Sequence, residues 1–232
     1  MESINVKLFL QAGIFTTIMF LIIYSINSYL TTKREDVVVG KMEEIIEDFE
    51  DIESSTYLLD YLEESNSSTC DVMIKELEYL ESNLWKLDNR IRAYREATKD
   101  FADDEFYIRE KRRLNRREII HLSLLNRIKK HCNYNQTVIL YFYGECEKNL
   151  KCDDQGLVLS YINQKIDPEI VILSFDADRN VSSVNALMEY YHVNEFPCVV
   201  IEGHTHCGLH NRNEMISLLC NYTPSLSICS GE

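Results

Sequence analysis

Two cysteines, Cys146 and Cys152, are the residues of this sequence best suited to redox chemistry. They follow the apolar run TVILYFYG and enclose five residues, EKNLK. Exchange of thiols with a disulfide needs one stabilised thiolate and a second thiol close enough to resolve the mixed disulfide. A loop of this length can also be closed by a static disulfide. The pair is therefore consistent with a redox couple, a structural disulfide, or thiols that stay free or bind a metal.

The charges beside this pair act in opposite directions on a thiolate. Cys152 directly precedes DDQG, the predicted start of a helix, where free N–H groups and the helix dipole favour negative charge. Four neighbouring carboxylates oppose it: Glu145, Glu147, Asp153 and Asp154. The sequence leaves the balance between these effects open.

The remaining cysteines have less distinctive surroundings. Cys70 occupies an apolar position of a helical pattern, where a small buried hydrophobe is expected and an intermolecular disulfide is the alternative. Cys198 follows Pro197 and is expected to be a core cysteine, with a role as a third redox partner as the alternative. Cys207, Cys220 and Cys229 leave room for a further disulfide of unassigned connectivity.

The cluster of His204, His206, Cys207 and His210 contains metal-ligating residue types. Alternate residues of a strand share a face, so His204 and His206 could contact one ion. A predicted hairpin turn separates them from His210, and no second ligand cluster accompanies them. The histidines are therefore expected to lie on a surface hairpin, and neither a metal nor a cofactor is predicted.

The region around these residues has the pattern of an α/β domain. Residues 136–220 predict the order β-α-β-α-β-β-α, and the run at 138–143 is apolar enough for a strand buried on both faces. Asn211 and Glu214 form a capping box for the last helix. The predicted elements cover residues 138–143, 153–165, 170–175, 181–191, 198–202, 206–209 and 212–220.

The segments YFYGEC and YYHVNEFPCVVIEG, within this order of elements, resemble the thioredoxin superfamily over about 85 residues, the C-terminal third of the chain. The resemblance implies that Cys146 and Cys152 are catalytic. It also implies that Pro197 follows a cis peptide bond, with Phe196 beside the thiols guiding a substrate chain. Gly208 falls where the family has a glycine after its last strand. The family spaces its two cysteines by two residues, so the usual C-x-x-C is widened here to C-x5-C.

Residues 35–102 are predicted to form an acidic antiparallel helical hairpin, a coiled stalk. Apolar residues repeat at heptad spacing from Cys70 to Thr98, a similar pattern covers residues 42–59, and the polar link ESNSS separates the two. Such a stalk is interpreted as a spacer, with dimerisation or partner docking as the alternative. A basic connecting helix is predicted over residues 103–132.

Residues 1–34 contain the long uncharged run at 8–30, which would form a helix of roughly 34 Å, enough to cross a bilayer core. A cleaved signal peptide is the competing interpretation. The run is longer than a usual signal sequence and no A-x-A site follows it, so a retained single-pass membrane anchor is predicted.

The net charge of −14 is unevenly distributed, with −15 over residues 35–105, +7 over residues 106–130 and −8 over residues 131–232. Because no predicted folded domain is basic overall, nucleic acid is not expected as a partner. The basic block at 109–117 is interpreted as the solvated face of a helix, with lipid headgroups or nucleic acid as alternatives. Seven of the eight cysteines lie from Cys132 onward, which favours an oxidising, extracytoplasmic compartment, as do four N-x-S/T sites.

The sequence thus predicts an α/β protein in which a thioredoxin-like domain at 133–222, followed by a tail at 223–232, is preceded by a transmembrane helix and a coiled hairpin. The leading functional hypothesis is a membrane-anchored protein that exchanges thiols and disulfides with protein substrates through Cys146 and Cys152. The alternative is a redox-inactive module that binds a protein partner, and the stalk would also allow a homodimer.

Overall fold

A computed structural model describes residues 10–29, 33, 67–98, 101–132, 134–144 and 151–230. The chain divides into two compact units, Met1–Ile46 and Glu47–Glu232. The predicted helix over residues 42–59, and with it half of the predicted coiled hairpin, lies outside the described residues.

The described part of the first unit contains helix α1 (Leu10–Tyr29), which with 20 residues is long and apolar enough to cross a membrane. The hydroxyls of Thr16 and Thr17 donate to the carbonyls of Ala12 and Gly13, at 2.7 and 2.9 Å. Polar side chains are thereby satisfied within the helix itself, as a hydrocarbon environment would require.

In the second unit, helices α2 (Ser67–Ala97) and α3 (Glu105–His131) pack against each other. Asp104 begins α3 as its N-cap, since its carboxylate accepts the N–H of Tyr107 at 2.8 Å. The predicted heptad residues of α2 are buried: Met73, Leu77, Leu80, Leu84, Leu87, Ile91 and Tyr94. The apolar side of α2 is therefore covered by the helix that follows it in the chain.

Cys70 corrects one expectation, because it forms a disulfide with Cys132 instead of acting as a small buried hydrophobe. The two Cα atoms lie 5.5 Å apart. In an antiparallel helix pair the beginning of the first helix meets the end of the second, and this places Cys70 of α2 beside the residue that follows α3.

A four-stranded sheet follows, built from β1 (Thr137–Tyr143), β2 (Ile170–Asp176), β3 (Cys198–Ile201) and β4 (His204–Cys207) in the order β2-β1-β3-β4. Strands β1 and β2 are parallel, whereas β3 is antiparallel to both β1 and β4. The mixed α/β class predicted from the sequence is confirmed. The helices that alternate with these strands are α4 (Lys151–Ile166), α5 (Ser182–Tyr190) and α6 (Arg212–Tyr222).

The sheet is covered on both faces, as its apolar strands require. On one face Ile139, Tyr141 and Val199 pack with side chains of α4 and α6. Because side chains alternate along a strand, Phe142 and Phe175 point to the other face, where their rings stack at 5.3 Å. The predicted connecting helix, α3, contacts β2 and α5, so it also packs against the α/β domain.

The fourth strand begins at His204, two residues earlier than the sequence indicates. Glu202 and Gly203 both have positive φ angles, 45° and 87°, which is the backbone of a tight two-residue hairpin turn. Gly208, at φ 99°, ends the strand. The capping box of Asn211 and Glu214 is present at the start of α6, as predicted.

Candidate thiol site

Cys152 is the second residue of α4 and is only 2% exposed. Its thiol is free and donates a hydrogen bond to the carbonyl of Gly144, with Sγ and O 3.0 Å apart. The hydroxyl of Tyr141 in turn donates to the carbonyl of Cys152 at 2.6 Å. These two bonds join the start of α4 to the end of β1, so the position of the thiol is fixed by the sheet.

Gly144 lies directly against Phe196. A Cβ atom at Gly144 would be 3.0 Å from Cδ2 of Phe196 and 3.1 Å from Oδ1 of Asp178, so only glycine fits without displacing its neighbours. Phe196 therefore contacts the same residue whose carbonyl accepts the hydrogen bond from the thiol of Cys152.

The Phe196–Pro197 peptide bond is cis, as predicted. The carbonyl of Pro197, just before β3, accepts the N–H of Gly208, just after β4, at 2.8 Å. This hydrogen bond joins the start of β3 to the end of β4. Pro197 follows Phe196, which packs against Gly144, and the carbonyl of Gly144 accepts the hydrogen bond from the thiol of Cys152. Residues 145–150 lie outside the described residues, so the pairing of Cys146 with Cys152 stays a prediction.

Tyr143, the last residue of β1, adds a polar contact that the sequence analysis missed. Its hydroxyl accepts a hydrogen bond from Nζ of Lys111 at 2.8 Å. Burial, and then the charge of Asp176, raise the pKa of Tyr143 well above its ordinary value. The tyrosines of TVILYFYG were a usable signal, because a buried tyrosine hydroxyl normally finds a hydrogen-bond partner.

Cys198 is not available as a third redox partner. It is fully buried and forms a disulfide with Cys207, directly across the β3–β4 hairpin. Cys198 pairs in register with Phe142 and shares its face of the sheet, whereas Tyr141, which binds the Cys152 carbonyl, points to the opposite face. The sequence left the pairing of Cys220 open, and it forms a disulfide with Cys229.

The histidines of the hairpin contact Tyr222 of α6. The ring of His204 stacks on Tyr222 at 4.2 Å, and Nε2 of His206 lies 3.1 Å from its hydroxyl. Burial, then the neighbouring His210 and His204, lower the pKa of His206. Within the described ranges, no group of three or more His, Cys, Asp or Glu side chains is placed to hold a metal ion.

Substitution of Gly144 by alanine is expected to lower the free energy of unfolding by about 1–3 kcal/mol, because the new methyl group overpacks against Phe196 and Asp178. Gly156→Ala is the matched control. Gly156 lies within α4, and nothing is within 4 Å of a Cβ placed there. The control is expected to gain up to about 1 kcal/mol, since alanine is the better helix residue. Denaturant unfolding measures both, and equal stability of the two variants would show that Phe196 does not pack tightly on Gly144.

A scan against protein-family models and a search of curated proteins both match nothing. A search of solved structures finds thioredoxin-like neighbours. A malarial protein is 18% identical, with 38% of this chain and 99% of that chain covered and a TM-score of 0.33. Thioredoxin-2 of the malaria parasite, described as a component of its protein secretion machinery, is 18% identical over 38% of this chain and 84% of its own, with a TM-score of 0.32. The germline-specific thioredoxin Deadhead of Drosophila melanogaster is 16% identical over 42% and 92%, with a TM-score of 0.31. These likenesses concern the fold alone.

Proposed function

We propose that this chain is a membrane-anchored thioredoxin-like protein that exchanges thiols and disulfides with protein substrates through Cys146 and Cys152. The observation that carries the proposal is the state of Cys152. It is the free thiol among the described cysteines, of which the other six are paired in disulfides. It lies in the first turn of a helix, next to the end of β1, where Phe196, the residue before the cis bond to Pro197, contacts Gly144.

Burial of Cys152 supports a division of roles between the two thiols. A thiol that is 2% exposed cannot reach the disulfide of another protein, so Cys146 is the attacking group. Its thiolate attacks one sulfur of a substrate disulfide, the substrate S–S bond breaks, and the other substrate sulfur leaves as a thiolate. Cys152 then attacks the Cys146 sulfur of this mixed disulfide, which releases the second substrate thiol. The substrate gains two electrons and the Cys146–Cys152 pair is oxidised, and the same steps in reverse oxidise a substrate dithiol.

An extracytoplasmic location fits this activity. The described chain contains three disulfides, and structural disulfides persist mainly in oxidising compartments. Helix α1 would hold the domain at the membrane surface, where its substrates would be secreted or membrane proteins.

The proposal is tested by equilibrating full-length protein with glutathione buffers of graded potential and trapping the thiols of Cys146 and Cys152. An exchange-active pair is expected to titrate above about −300 mV, the range of catalytic and labile disulfides. The variants Cys146→Ser and Cys152→Ser are the controls, because they show how much of the trapped-thiol signal comes from reduction of the three other disulfides. A potential well below about −300 mV would identify a structural bridge and exclude the exchange activity.

The second candidate is a redox-inactive module that binds a protein partner. It is favoured by a groove beside the sheet, of ≈ 1100 Å³, whose lining includes the exposed residues Trp85 of α2 and Leu157 of α4. The titration separates the two functions, because a binding module does not need the Cys146–Cys152 pair to have a reduction potential in the range of catalytic disulfides.

A further inference from the structure

Asn180, Val181 and Ser182 lie between β2 and α5 and form one of the N-x-S/T sequences of the chain. N-glycosylation needs an asparagine amide and, two residues later, a hydroxyl side chain. Asn180 and Ser182 are both exposed, whereas Val181 is only 6% exposed. The buried valine thus anchors the segment, and the amide and the hydroxyl on either side of it face solvent.

The two polar groups that N-glycosylation uses are not engaged by the fold. Oδ1 of Asn180 accepts a hydrogen bond from Nδ2 of Asn185 at 2.8 Å, which orients the amide. Nδ2 of Asn180 and the hydroxyl of Ser182 have no hydrogen-bond partner within the part of the chain that the structure describes. The nitrogen that would receive a sugar is therefore free, and so is the hydroxyl beside it.

The turn that carries Asn180 is held by bonds that do not involve its side chain. Nε of Arg112, on α3, donates to the carbonyl of Arg179 at 2.8 Å. The carboxylate of Asp176 accepts Nε of Arg179 at 3.1 Å and the N–H of Asp178 at 3.2 Å. An oligosaccharide on Asn180 would extend into solvent without breaking any of these bonds.

The backbone explains only part of this sequence. Asn180 ends the short helix before it with left-handed angles, φ 49° and ψ 57°, which asparagine tolerates better than most residues. That conformation accounts for an asparagine at this position. It does not require a hydroxyl side chain at Ser182, which is exposed at the start of α5.

Two other N-x-S/T sequences in the described ranges are engaged by the fold. Thr137, two residues after Asn135, is buried as the first residue of β1. Asn221 lies within α6, and the hydroxyl of Thr223 donates to a main-chain carbonyl of that helix at 2.7 Å. Asn180 therefore differs from both, because its amide nitrogen and the hydroxyl that follows it are exposed and unbonded.

We propose that Asn180 is a site of N-glycosylation. Its Nδ2 bonds to the anomeric carbon of a lipid-linked oligosaccharide and loses one proton. The bond from that carbon to the lipid diphosphate breaks, and the diphosphate leaves with the electron pair. A membrane-bound transferase catalyses this step on segments that have left the cytoplasm. The inference thus rests on the extracytoplasmic location in the proposed function, and it does not rest on thiol exchange.

The test uses the full-length protein expressed in cells whose secretory pathway attaches N-linked oligosaccharides. Membranes are isolated as sealed vesicles, and gel mobility is compared before and after treatment with a peptide N-glycosidase. The enzyme is expected to increase the mobility of the protein. Because it converts the linked asparagine to aspartate, mass spectrometry is expected to find aspartate at position 180 after treatment and not before.

Four variants assign the mobility change to this sequence. Asn180→Asp keeps the shape of the side chain and the oxygen that faces Asn185 but has no amide nitrogen, so it is expected to lose one glycan. Ser182→Ala is expected to lose the same glycan without altering the turn. Ser182→Thr keeps the hydroxyl and is expected to retain it. Asn221→Asp is the matched control and is expected to migrate like the unaltered protein.

The proposal would be overturned by unmodified Asn180 in the unaltered protein, or by an equal number of glycans in the unaltered protein and Asn180→Asp. A glycan on Asn180 that persists in Ser182→Ala would also overturn it. Protease added to the sealed vesicles locates the domain, and digestion of residues 67–230 would refute this inference together with the extracytoplasmic location.

The glutathione titration separates this inference from the proposed exchange activity. A glycan on Asn180 with a structural Cys146–Cys152 disulfide would refute the exchange activity and leave the glycosylation site standing. An exchange-active pair in a protected domain without a glycan on Asn180 would refute the glycosylation site alone.

Discussion

Replacement of Cys70 and Cys132 together by serine is expected to lower the free energy of unfolding by about 4 kcal/mol, the loop-closure value for two residues this far apart in sequence. The disulfide joins positions 62 residues apart and fastens the beginning of α2 to the end of α3. Because α3 also packs on the sheet, loosening the helix pair removes support from β2 as well. Urea unfolding of the full-length protein measures the change.

The matched control for this substitution is the double serine variant of Cys220 and Cys229, which are only nine residues apart. The same loop-closure relation gives a smaller loss for that pair, about 2.5 kcal/mol. If the two double variants were equally stable, the Cys70–Cys132 disulfide would not stabilise the helix pair in the way described.

Glu118→Gln is expected to remove a large part of the pH dependence of stability. Burial, partly offset by the hydrogen bond from Ser174, raises the pKa of Glu118 from 4.5 to about 8, even though part of the side chain remains exposed to solvent. The folded protein therefore holds this proton more tightly than the unfolded chain. The contribution of Glu118 to the free energy of unfolding falls as pH rises from about 4.5 to 8 and changes no further above that range.

Glutamine keeps an oxygen that can accept the N–H of Ser174 but has no proton to lose. At pH 8 we expect Glu118→Gln to be more stable than the unaltered protein by roughly 2 kcal/mol, a figure reduced for solvent screening of a half-buried group. At pH 4, below the ordinary pKa of 4.5, the two are expected to be equally stable. Thermal unfolding at a series of pH values checks this, and parallel curves for the two proteins would contradict the assignment of a raised pKa to Glu118.

The sheet could be predicted well because its signals are local. An uninterrupted apolar run such as residues 138–143 permits little other than a buried strand, and the capping box of Asn211 and Glu214 marks the start of α6. The start of β4 was misplaced since it depends on the positive φ angle of Glu202, an unusual conformation for that residue type.

The partners of α2 could not be predicted from its heptads. The pattern shows which side of a helix is buried, but any helix with a matching apolar side can cover it. In the structure α3 covers it, and this packing brings Cys132 beside Cys70. The disulfide therefore could not be predicted from the local sequence around Cys70. The contacts of Asn115 and Glu118 with β2 were equally hidden, because they join residues 56 and 61 positions apart.

Of the candidate site, the sequence indicated Cys152 and the cis bond before Pro197, the latter through the family resemblance. It did not indicate that Gly144 is the residue that joins them. That role depends on the close approach of Phe196, which only the packed structure reveals.

Trapping of mixed disulfides tests the central claim most directly. Full-length Cys152→Ser and Cys146→Ser proteins are expressed in cells, and their thiols are blocked with an alkylating agent. Disulfide-linked partners are then separated without reductant and identified by mass spectrometry. If Cys146 attacks and Cys152 resolves, Cys152→Ser accumulates proteins linked through Cys146, and Cys146→Ser accumulates none. Absence of linked proteins from both variants, with the other three disulfides intact, would contradict exchange at this site.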